Sequence, residues 1–205
     1  MTRSKSSKTW LREHFADRFV QQSQKQGYRS RAVYKLLAIQ EKDRILEPGM
    51  VVVDLGAAPG GWSQIVKDQV GEKGRVIALD ILAMEPLSEV EFIQGDFTTD
   101  EVYGALLNLL NGQPVDLVLS DMAPNMSGIR DVDQARAMML AELAFDAAKK
   151  ILRPGGSFVV KVFQGQGFTE FLRVLQKAFT KVVVRKPPAS RARSNEVYLV
   201  AKNIR

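Results

Sequence analysis

The sequence has no cysteine and one histidine, His14. Without cysteine, the chain cannot form disulfides, thiolate nucleophiles or cysteine-bound metal sites. The same absence excludes methylation of pyrimidine carbons, which proceeds through a cysteine adduct. A histidine triad or a histidine zinc site is not expected from a single imidazole, which favours a surface or helix-cap role for His14. We therefore predict no metal centre.

Long apolar runs are also absent. No stretch approaches the ~20 apolar residues of a membrane span, and no apolar segment of the kind found in signal peptides follows the basic N-terminus. At 205 residues and 45% hydrophobic composition, the chain can bury one core and has little left for a second. We expect one soluble, cytoplasmic domain over residues 1–205, and a monomer because no dimer seam is evident.

Charge is distributed unevenly around a net value of +6. Residues 1–44 carry eleven Lys or Arg against four Asp or Glu, and residues 171–195 carry seven basic residues and no acidic one. Residues 45–170 are acidic, with eighteen carboxylates and nine basic residues. Two basic segments around one acidic middle predict a nucleic-acid footprint, with a merely solvated surface as the alternative. The candidate RNA contacts are Arg29, Arg31, Arg191 and Arg193.

One stretch, VVVDLGAAPGGW at residues 51–62, predicts a buried parallel strand that breaks into a glycine-rich turn. A helix over residues 62–70 follows, so its N–H groups point at the turn. Gly56, Gly60 and Gly61 let the backbone bend and approach a ligand closely. Dinucleotide folds and S-adenosylmethionine (SAM) methyltransferases both use such a turn, and a purely structural turn is the remaining alternative.

Strand and helix patterns alternate along the chain, which predicts an α/β fold with a mostly parallel sheet and helices on both faces. The predicted strands begin at Val51 and then cover residues 75–80, 90–94, 115–119, 157–162, 181–185 and 196–201. The predicted helices cover residues 10–26, 30–43 with Ser30 as N-cap, 62–70, a segment including 106–110, 133–152 and 169–179. We expect a disordered basic arm over residues 1–8, a basic helical extension over 9–44 and a catalytic core over 45–205.

Charged residues follow the predicted strands where each one ends. They are Asp54, Asp80, Asp96, Asp121 and Lys161. Ligands of such sheets bind beyond the carboxyl ends of the strands. Asp80 is placed to accept hydrogen bonds from two ribose hydroxyls, and Asp96 from an adenine amino group. Each carboxylate alone could equally be a turn or cap residue, but several on one edge predict a nucleotide-type ligand.

Lys161 interrupts the apolar strand FVVKVF, and a lysine in a buried central strand is rarely placed there for stability. The alternative is that its amine reaches out to the edge of the sheet. Asp121 ends the preceding parallel strand and would be its neighbour. If the last strand runs antiparallel, Glu196 reaches the same edge, so the three side chains converge.

With these residues in hand, the sequence resembles the FtsJ/RrmJ (RlmE) family of ribosomal RNA 2′-O-methyltransferases over nearly its whole length. The motifs that carry the resemblance are GYRSRAVYKL at residues 27–36, DLGAAPGGW at 54–62, SDMAPN at 120–125, VKV at 160–162 and SRARSNEVY at 190–198. The resemblance implies a Rossmann-like, seven-stranded SAM-dependent methyltransferase fold with an antiparallel last strand.

The resemblance also implies site residues and a substrate. A catalytic tetrad is matched by Lys35, Asp121, Lys161 and Glu196. The family's SAM contacts are matched by Gly60, Trp62, Asp80, Asp96 and Asp121. The implied substrate is a uridine in the peptidyl-transferase A loop of 23S rRNA, met on the assembled 50S subunit.

These residues suggest a mechanism in which the ribose 2′-hydroxyl attacks the methyl group in line and Lys161 takes its proton. Asp121 would hold Lys161 and the sulfonium end of SAM, while Lys35 and Glu196 orient the ribose or its phosphate. An amino-group methyltransferase is less consistent, because Asn125 stands where those enzymes stack an aromatic ring on the target base. A nicotinamide oxidoreductase lacks an evident hydride-transfer site, and a non-enzymatic ribosome-assembly factor remains the alternative of a different class.

Overall fold

The computed structural model describes residues 17–191 and 193–205. The predicted arm 1–8, His14 and the beginning of the predicted helix 10–26 lie outside the described residues. The helices are α1 (Arg18–Lys25), α2 (Val33–Asp43), α3 (Gly61–Val70), α4 (Asp100–Leu110), α5 (Arg130–Ile151) and α6 (Phe168–Ala178). The strands are β1 (Val51–Leu55), β2 (Arg75–Asp80), β3 (Val90–Gln94), β4 (Val115–Ser120), β5 (Leu152–Phe163), β6 (Phe179–Arg185) and β7 (Glu196–Ile204).

The seven strands form one sheet in the order β3-β2-β1-β4-β5-β7-β6. Strands β1 to β5 pair in parallel, and β7 runs antiparallel to both of its neighbours, β5 and β6. This confirms the predicted mostly parallel sheet with an antiparallel last strand. The reversal matters for the site because it brings the start of β7 to the edge where β1 to β5 end.

Helices cover both faces of the sheet, as predicted. Successive side chains of a strand point to opposite faces. In β1, Val51, Val53 and Leu55 pack with side chains of α4, α5 and α6. Val52 packs on the other face with side chains of α2 and α3. β1 is therefore buried on both sides, which explains why all of its residues except Asp54 are apolar.

Two helix starts differ from the prediction. Ser30 is not the N-cap of α2, because the helix begins at Val33 after a turn in which the Val33 N–H donates to the Ser30 carbonyl. α5 begins three residues before the predicted Asp133. The Asp133 carboxylate instead accepts hydrogen bonds from the N–H groups of Ser127 and Gly128 and so closes the preceding loop.

β5 begins at Leu152, before the predicted start at residue 157, and the Pro-Gly-Gly segment lies inside it. The pairing with β4 shifts register between Val115 and Leu117, so the irregular segment is accommodated as a bulge. None of the helices within residues 17–191 and 193–205 has the length and apolar composition that crossing a membrane requires.

Candidate active site

A cavity of about 450 Å³ lies at the carboxyl ends of the central strands. Asp80, Asp96 and Asp121 all line it, together with apolar side chains that include Leu82 and Met139. Its volume falls in the range of cofactor sites, and its place at the carboxyl edge of a parallel sheet is where such folds bind ligands. Three of the carboxylates predicted at strand ends are thus brought together.

Asp80 joins the two loops that form one side of the cavity. Its Oδ2 accepts a hydrogen bond from the Ala58 N–H at 2.8 Å, and its Oδ1 accepts one from the Leu82 N–H at 2.8 Å. Each carboxylate oxygen can accept more than one hydrogen bond. Asp80 therefore holds the glycine turn against the loop after β2 and retains capacity to accept ligand hydroxyls.

Asp96 presents an available acceptor to the same cavity. Its Oδ1 accepts hydrogen bonds from the Thr98 N–H at 3.0 Å and the Thr98 hydroxyl at 2.7 Å. These two bonds, from the side chain and then the backbone of Thr98, lower the pKa of Asp96. Its Oδ2 accepts no hydrogen bond from any residue that the structure describes. An ionised carboxylate is thus held in a fixed orientation with one oxygen left for a donor.

The glycine turn approaches the loop after β4 at Gly56. A Cβ on Gly56 would lie 2.6 Å from Cγ of Met122, and the residue has φ of +78°. Only glycine fits both the backbone conformation and the contact. Gly56 and Ala58 line the cavity, whereas Gly60 and Trp62, which the family resemblance assigns to the cofactor, do not.

Trp62 is buried beneath the site, with 3% of its surface exposed. Its indole N–H donates to the Ala32 carbonyl at 2.8 Å, and its ring lies 5.6 Å from the ring of Tyr198. These contacts join α3 to the segment before α2 and to β7. In the described geometry Trp62 supports the elements around the cavity.

Lys161 and Asp121 form an ion pair beside the cavity. The Lys161 Nζ lies 3.0 Å from Asp121 Oδ1 and also donates to the Asp121 main-chain carbonyl. Burial alone would raise the pKa of Asp121, but the charges of Lys161 and Lys35 and the hydrogen bonds from Tyr198 and Lys161 lower it. Asp121 therefore stays ionised and fixes the position of the Lys161 amine.

Tyr198 belongs to this cluster, although we did not predict it as a site residue. Its hydroxyl donates to Asp121 Oδ1 at 2.6 Å, and it pairs directly with Lys161 across β5 and β7. Burial, followed by the nearby charges of Asp121 and Glu196, raises the pKa of Tyr198 well above its ordinary value, so the phenol keeps its proton. The sequence feature that could have identified Tyr198 is its position two residues after Glu196, which places both side chains on the same face of a strand.

Lys35 and Glu196 form a second ion pair next to the first. The Lys35 Nζ lies 2.7 Å from Glu196 Oε1, which also accepts a hydrogen bond from the Ser190 hydroxyl at 2.8 Å. The Lys35 Nζ also lies 5.5 Å from the centre of the Tyr198 ring. The three side chains predicted to converge, Asp121, Lys161 and Glu196, therefore do so around Tyr198, and Lys35, which the family resemblance added, joins them. Glu196 Oε2 accepts no hydrogen bond in the described part of the chain.

A second cavity, of about 500 Å³, is lined by the Lys35–Glu196 pair. Its lining is strongly basic, with Arg31, Arg191 and Arg193 beside Lys35. Arg31 has partners within the protein, because it pairs with Asp17 at 3.1 Å and donates to the Ala189 carbonyl. The two basic segments of the sequence thus meet at one opening, which Lys35 and Glu196 also line.

Asp54, the remaining carboxylate predicted at a strand end, is fully buried and does not line the cavity. It shares the Val52 face of β1, and its Oδ2 accepts a hydrogen bond from the Ser63 hydroxyl at 2.7 Å. Burial is the largest cause that raises the pKa of Asp54 to about 7. The hydrogen bond from Ser63 opposes this rise, and the negative charges of Asp121 and Asp80 add to it. Its Oδ1 has no partner among the described residues.

Clusters of three or more side chains suited to a metal ion are absent from residues 17–191 and 193–205. The site as described consists of a carboxylate-lined cavity, two ion pairs that share a tyrosine, and a basic opening. Such an arrangement can bind a nucleoside-like molecule in the first cavity and a polyanion at the basic opening, with the Lys161 amine paired to a carboxylate that lines the first cavity.

Comparison with known proteins agrees with this arrangement. A model of the FtsJ-like methyltransferase family matches residues 28–204. The chain belongs to this family. The chain is also similar to ribosomal RNA large subunit methyltransferase E of Cellvibrio japonicus, with 60% identity over 98% of this chain and 96% of that protein. The protein of the same name from Pseudomonas aeruginosa is 58% identical over 100% of this chain and 99% of its own length.

A solved structure is similar to this FtsJ-like chain as well. It is a Plasmodium falciparum protein described as a ribosomal RNA methyltransferase, with a TM-score of 0.78 and 30% sequence identity. The match covers 86% of this chain and 98% of that one. The seven-stranded, Rossmann-like architecture is therefore that of the FtsJ-like methyltransferases.

Proposed function

We propose that the protein transfers a methyl group from SAM to the ribose 2′-hydroxyl of a uridine in 23S rRNA of the 50S ribosomal subunit. The observation that carries this proposal is the Lys161–Asp121 pair. Its Asp121 lines a cavity suited to a nucleoside, and Tyr198 links it to the Lys35–Glu196 pair, which lines an opening suited to a phosphate backbone. The names of the relatives support the large-subunit RNA as substrate.

The described residues fit SAM as the cofactor. Asp96 offers a free carboxylate oxygen to an adenine amino group, and Asp80 offers acceptors to the ribose hydroxyls. Apolar side chains, including Leu82 and Met139, provide walls for the adenine ring. Asp121 lies at the end of the cavity toward Lys161 and would face the sulfonium. When bound there, SAM supplies the methyl group.

Lys161 is the base in this proposal. In its amine form it accepts the proton of the 2′-hydroxyl, whose oxygen becomes the nucleophile. Asp121 holds the Lys161 nitrogen through its carboxylate and its main-chain carbonyl, so the nitrogen stays in place beside the hydroxyl whose proton it accepts. The ionised Asp121 also stabilises the ammonium that Lys161 becomes when it has taken the proton.

Lys35 and Glu196 orient the ribose that carries the hydroxyl. Lys35 has three donors, of which Glu196 takes one, and Glu196 retains an unpaired oxygen. The amine is therefore able to bind a phosphate oxygen while the carboxylate accepts from a sugar hydroxyl. Tyr198 fixes the angle between the two ion pairs because it donates to Asp121 and lies beneath Lys35.

A methyl-transfer assay with labelled SAM and unmethylated 50S particles tests the proposal. We expect label on the ribose of one nucleotide. Alkaline hydrolysis identifies the position, because cleavage of the RNA backbone needs a free 2′-hydroxyl and stops at a methylated one. Label on a base would indicate an amino-group methyltransferase, and RNA binding without transfer would indicate an assembly factor.

The same assay tests Lys161. Lys161→Met is expected to lower kcat by a factor of about 10² to 10⁴, the usual contribution of a general base, while SAM still binds. Lys202→Met is the matched control, because Lys202 lies near the opposite end of β7 and its Nζ donates to a carbonyl, that of Asp43, at 2.8 Å. Near-normal turnover by folded, SAM-bound Lys161→Met would refute the assignment.

A further inference from the structure

Arg29 binds the main chain of two loops at the cofactor cavity. Its guanidinium donates to the Pro59 carbonyl at 3.2 Å, the Glu85 carbonyl at 2.5 Å and the Pro86 carbonyl at 2.8 Å. These acceptors lie 30, 56 and 57 residues away in sequence. The basic composition of residues 1–44 predicted an RNA contact here, but the guanidinium is occupied by protein carbonyls.

The two loops that Arg29 joins are the ones that Asp80 joins from inside the cavity. Asp80 accepts from the N–H groups of Ala58 and Leu82, both of which line the cavity. Arg29 binds the next part of each loop, at Pro59 and at Glu85 with Pro86. One loop pair is therefore held twice, by a carboxylate on the ligand side and by a guanidinium on the outer side.

The position of Arg29 is itself fixed by α3. Its N–H donates to the Gln64 side chain at 2.8 Å, and the Gln64 amide donates to the Gly27 carbonyl at 3.2 Å. Both ends of this short segment are thus attached to the helix that follows the glycine turn. The guanidinium therefore acts from a fixed point and not from a freely moving surface side chain.

Gly60 provides the space that this arrangement needs. A Cβ on Gly60 would lie 3.1 Å from Nη1 of Arg29 and 2.9 Å from Sδ of Met84, and Gly60 has φ of +102°. Any other side chain would push Arg29 and the loop after β2 away from the turn. Because Gly60 does not line the cavity, this packing gives it a role in cofactor binding without direct contact.

We infer that Arg29 is a positioning residue for the cofactor, which holds the glycine turn and the loop after β2 in the geometry that binds SAM. The inference rests on the proposed use of SAM. Because both loops lie on the surface, the free energy of ordering them would otherwise be lost from cofactor binding. Arg29 thus contributes to cofactor affinity and not to the RNA footprint.

Isothermal titration of the full-length protein with SAM tests this inference. Arg29→Ala is expected to raise the dissociation constant for SAM about tenfold, with a smaller rise for Arg29→Lys, whose single ammonium keeps the charge but cannot span three carbonyls. At saturating SAM, kcat stays near the wild-type value while the KM for SAM rises. Hydrogen exchange is expected to quicken in residues 58–60 and 83–87.

The RNA side supplies the discriminating measurement. Binding of 23S rRNA at several salt concentrations is expected to show the same slope of log affinity against log salt for Arg29→Ala and wild type. Arg205→Ala is the matched control, because its guanidinium also donates to a carbonyl, that of Lys177 at 2.9 Å, but at the opposite edge of the sheet. It should change neither the SAM affinity nor the slope.

Each outcome decides the inference. An unchanged SAM affinity with a flatter salt slope would make Arg29 a phosphate contact and overturn it. If Arg29→Ala fails to fold, Arg29→Lys decides, since a lysine that restores folding but not SAM affinity supports the positioning role and one that restores both refutes it. Failure of the wild-type protein to bind SAM would overturn the proposed function, and this inference with it.

Discussion

Replacing Asp54 by asparagine is expected to change how the stability of the protein depends on pH. Asp54 is fully buried under the glycine turn, where one carboxylate oxygen accepts a hydrogen bond from Ser63 and the other has no described partner. Asparagine has nearly the same shape, keeps an acceptor for Ser63 and carries no charge. The substitution therefore isolates the cost of ionising this carboxylate.

The size of the effect follows from the pKa of about 7 that burial gives Asp54 in the folded protein. In the unfolded chain an aspartate has a pKa of about 3.9, so the folded state binds the proton more tightly. The stability that this provides is complete below pH 4 and is lost as pH rises through 7. Between pH 5 and pH 8 the loss is roughly 2 to 3 kcal/mol, from a shift of about three units.

Urea unfolding at a series of pH values measures this loss. The free energy of unfolding of Asp54→Asn should gain roughly 2 to 3 kcal/mol relative to wild type from pH 5 to pH 8. Asp68→Asn provides the control, because Asp68 lies on α3 with 63% of its side chain exposed. It should follow the wild-type curve. Parallel curves for Asp54→Asn and wild type would refute the argument that this carboxylate takes up a proton on folding.

Two further substitutions separate cofactor contacts from supporting residues. Asp96→Asn places an amide donor where the free carboxylate oxygen was, so calorimetry should show SAM binding weakened tenfold or more with the melting temperature nearly unchanged. Trp62→Phe removes the indole donor to Ala32 and part of the packing on Tyr198, which should cost about 1 to 3 kcal/mol of stability and leave SAM affinity within about twofold. A loss of SAM affinity without a loss of stability in Trp62→Phe would show that Trp62 contacts the cofactor.

The sequence was sufficient to predict the parallel sheet and the convergence of the charged residues at one of its edges. Strands made mostly of apolar residues identify the parallel core, and residues that follow such strands must meet at one edge. Asp80, Asp96 and Asp121 meet there for that reason. Lys161 stood out because a charge is costly in a buried strand unless it has a partner. Each of these sequence patterns is local. Because parallel strands end at the same edge of the sheet, the residues at their ends lie close together.

The sequence was a poorer guide to where helices begin and to which groups each side chain contacts. Ser30 has a residue type suited to an N-cap, yet its segment forms a turn against α3, and Asp133 caps a loop where a helix start was predicted. Tyr198 was not predicted because it lies in a mostly apolar strand, and only the folded structure shows that its hydroxyl donates to Asp121. In each case the side chain could bond to several different groups, and the tertiary structure determines which of them lies within reach.

The sequence by itself thus determined the order of the strands and helices, the edge of the sheet at which the cavity lies, and the charged residues at that edge. Only the tertiary structure decided what each charged group binds. Arg29 is indistinguishable from an RNA contact in the sequence, but carbonyls from 30 to 57 residues away occupy its guanidinium. The physical reason is that periodicity records burial along one element, whereas a long polar side chain takes its partner from whichever distant segment packs beside it.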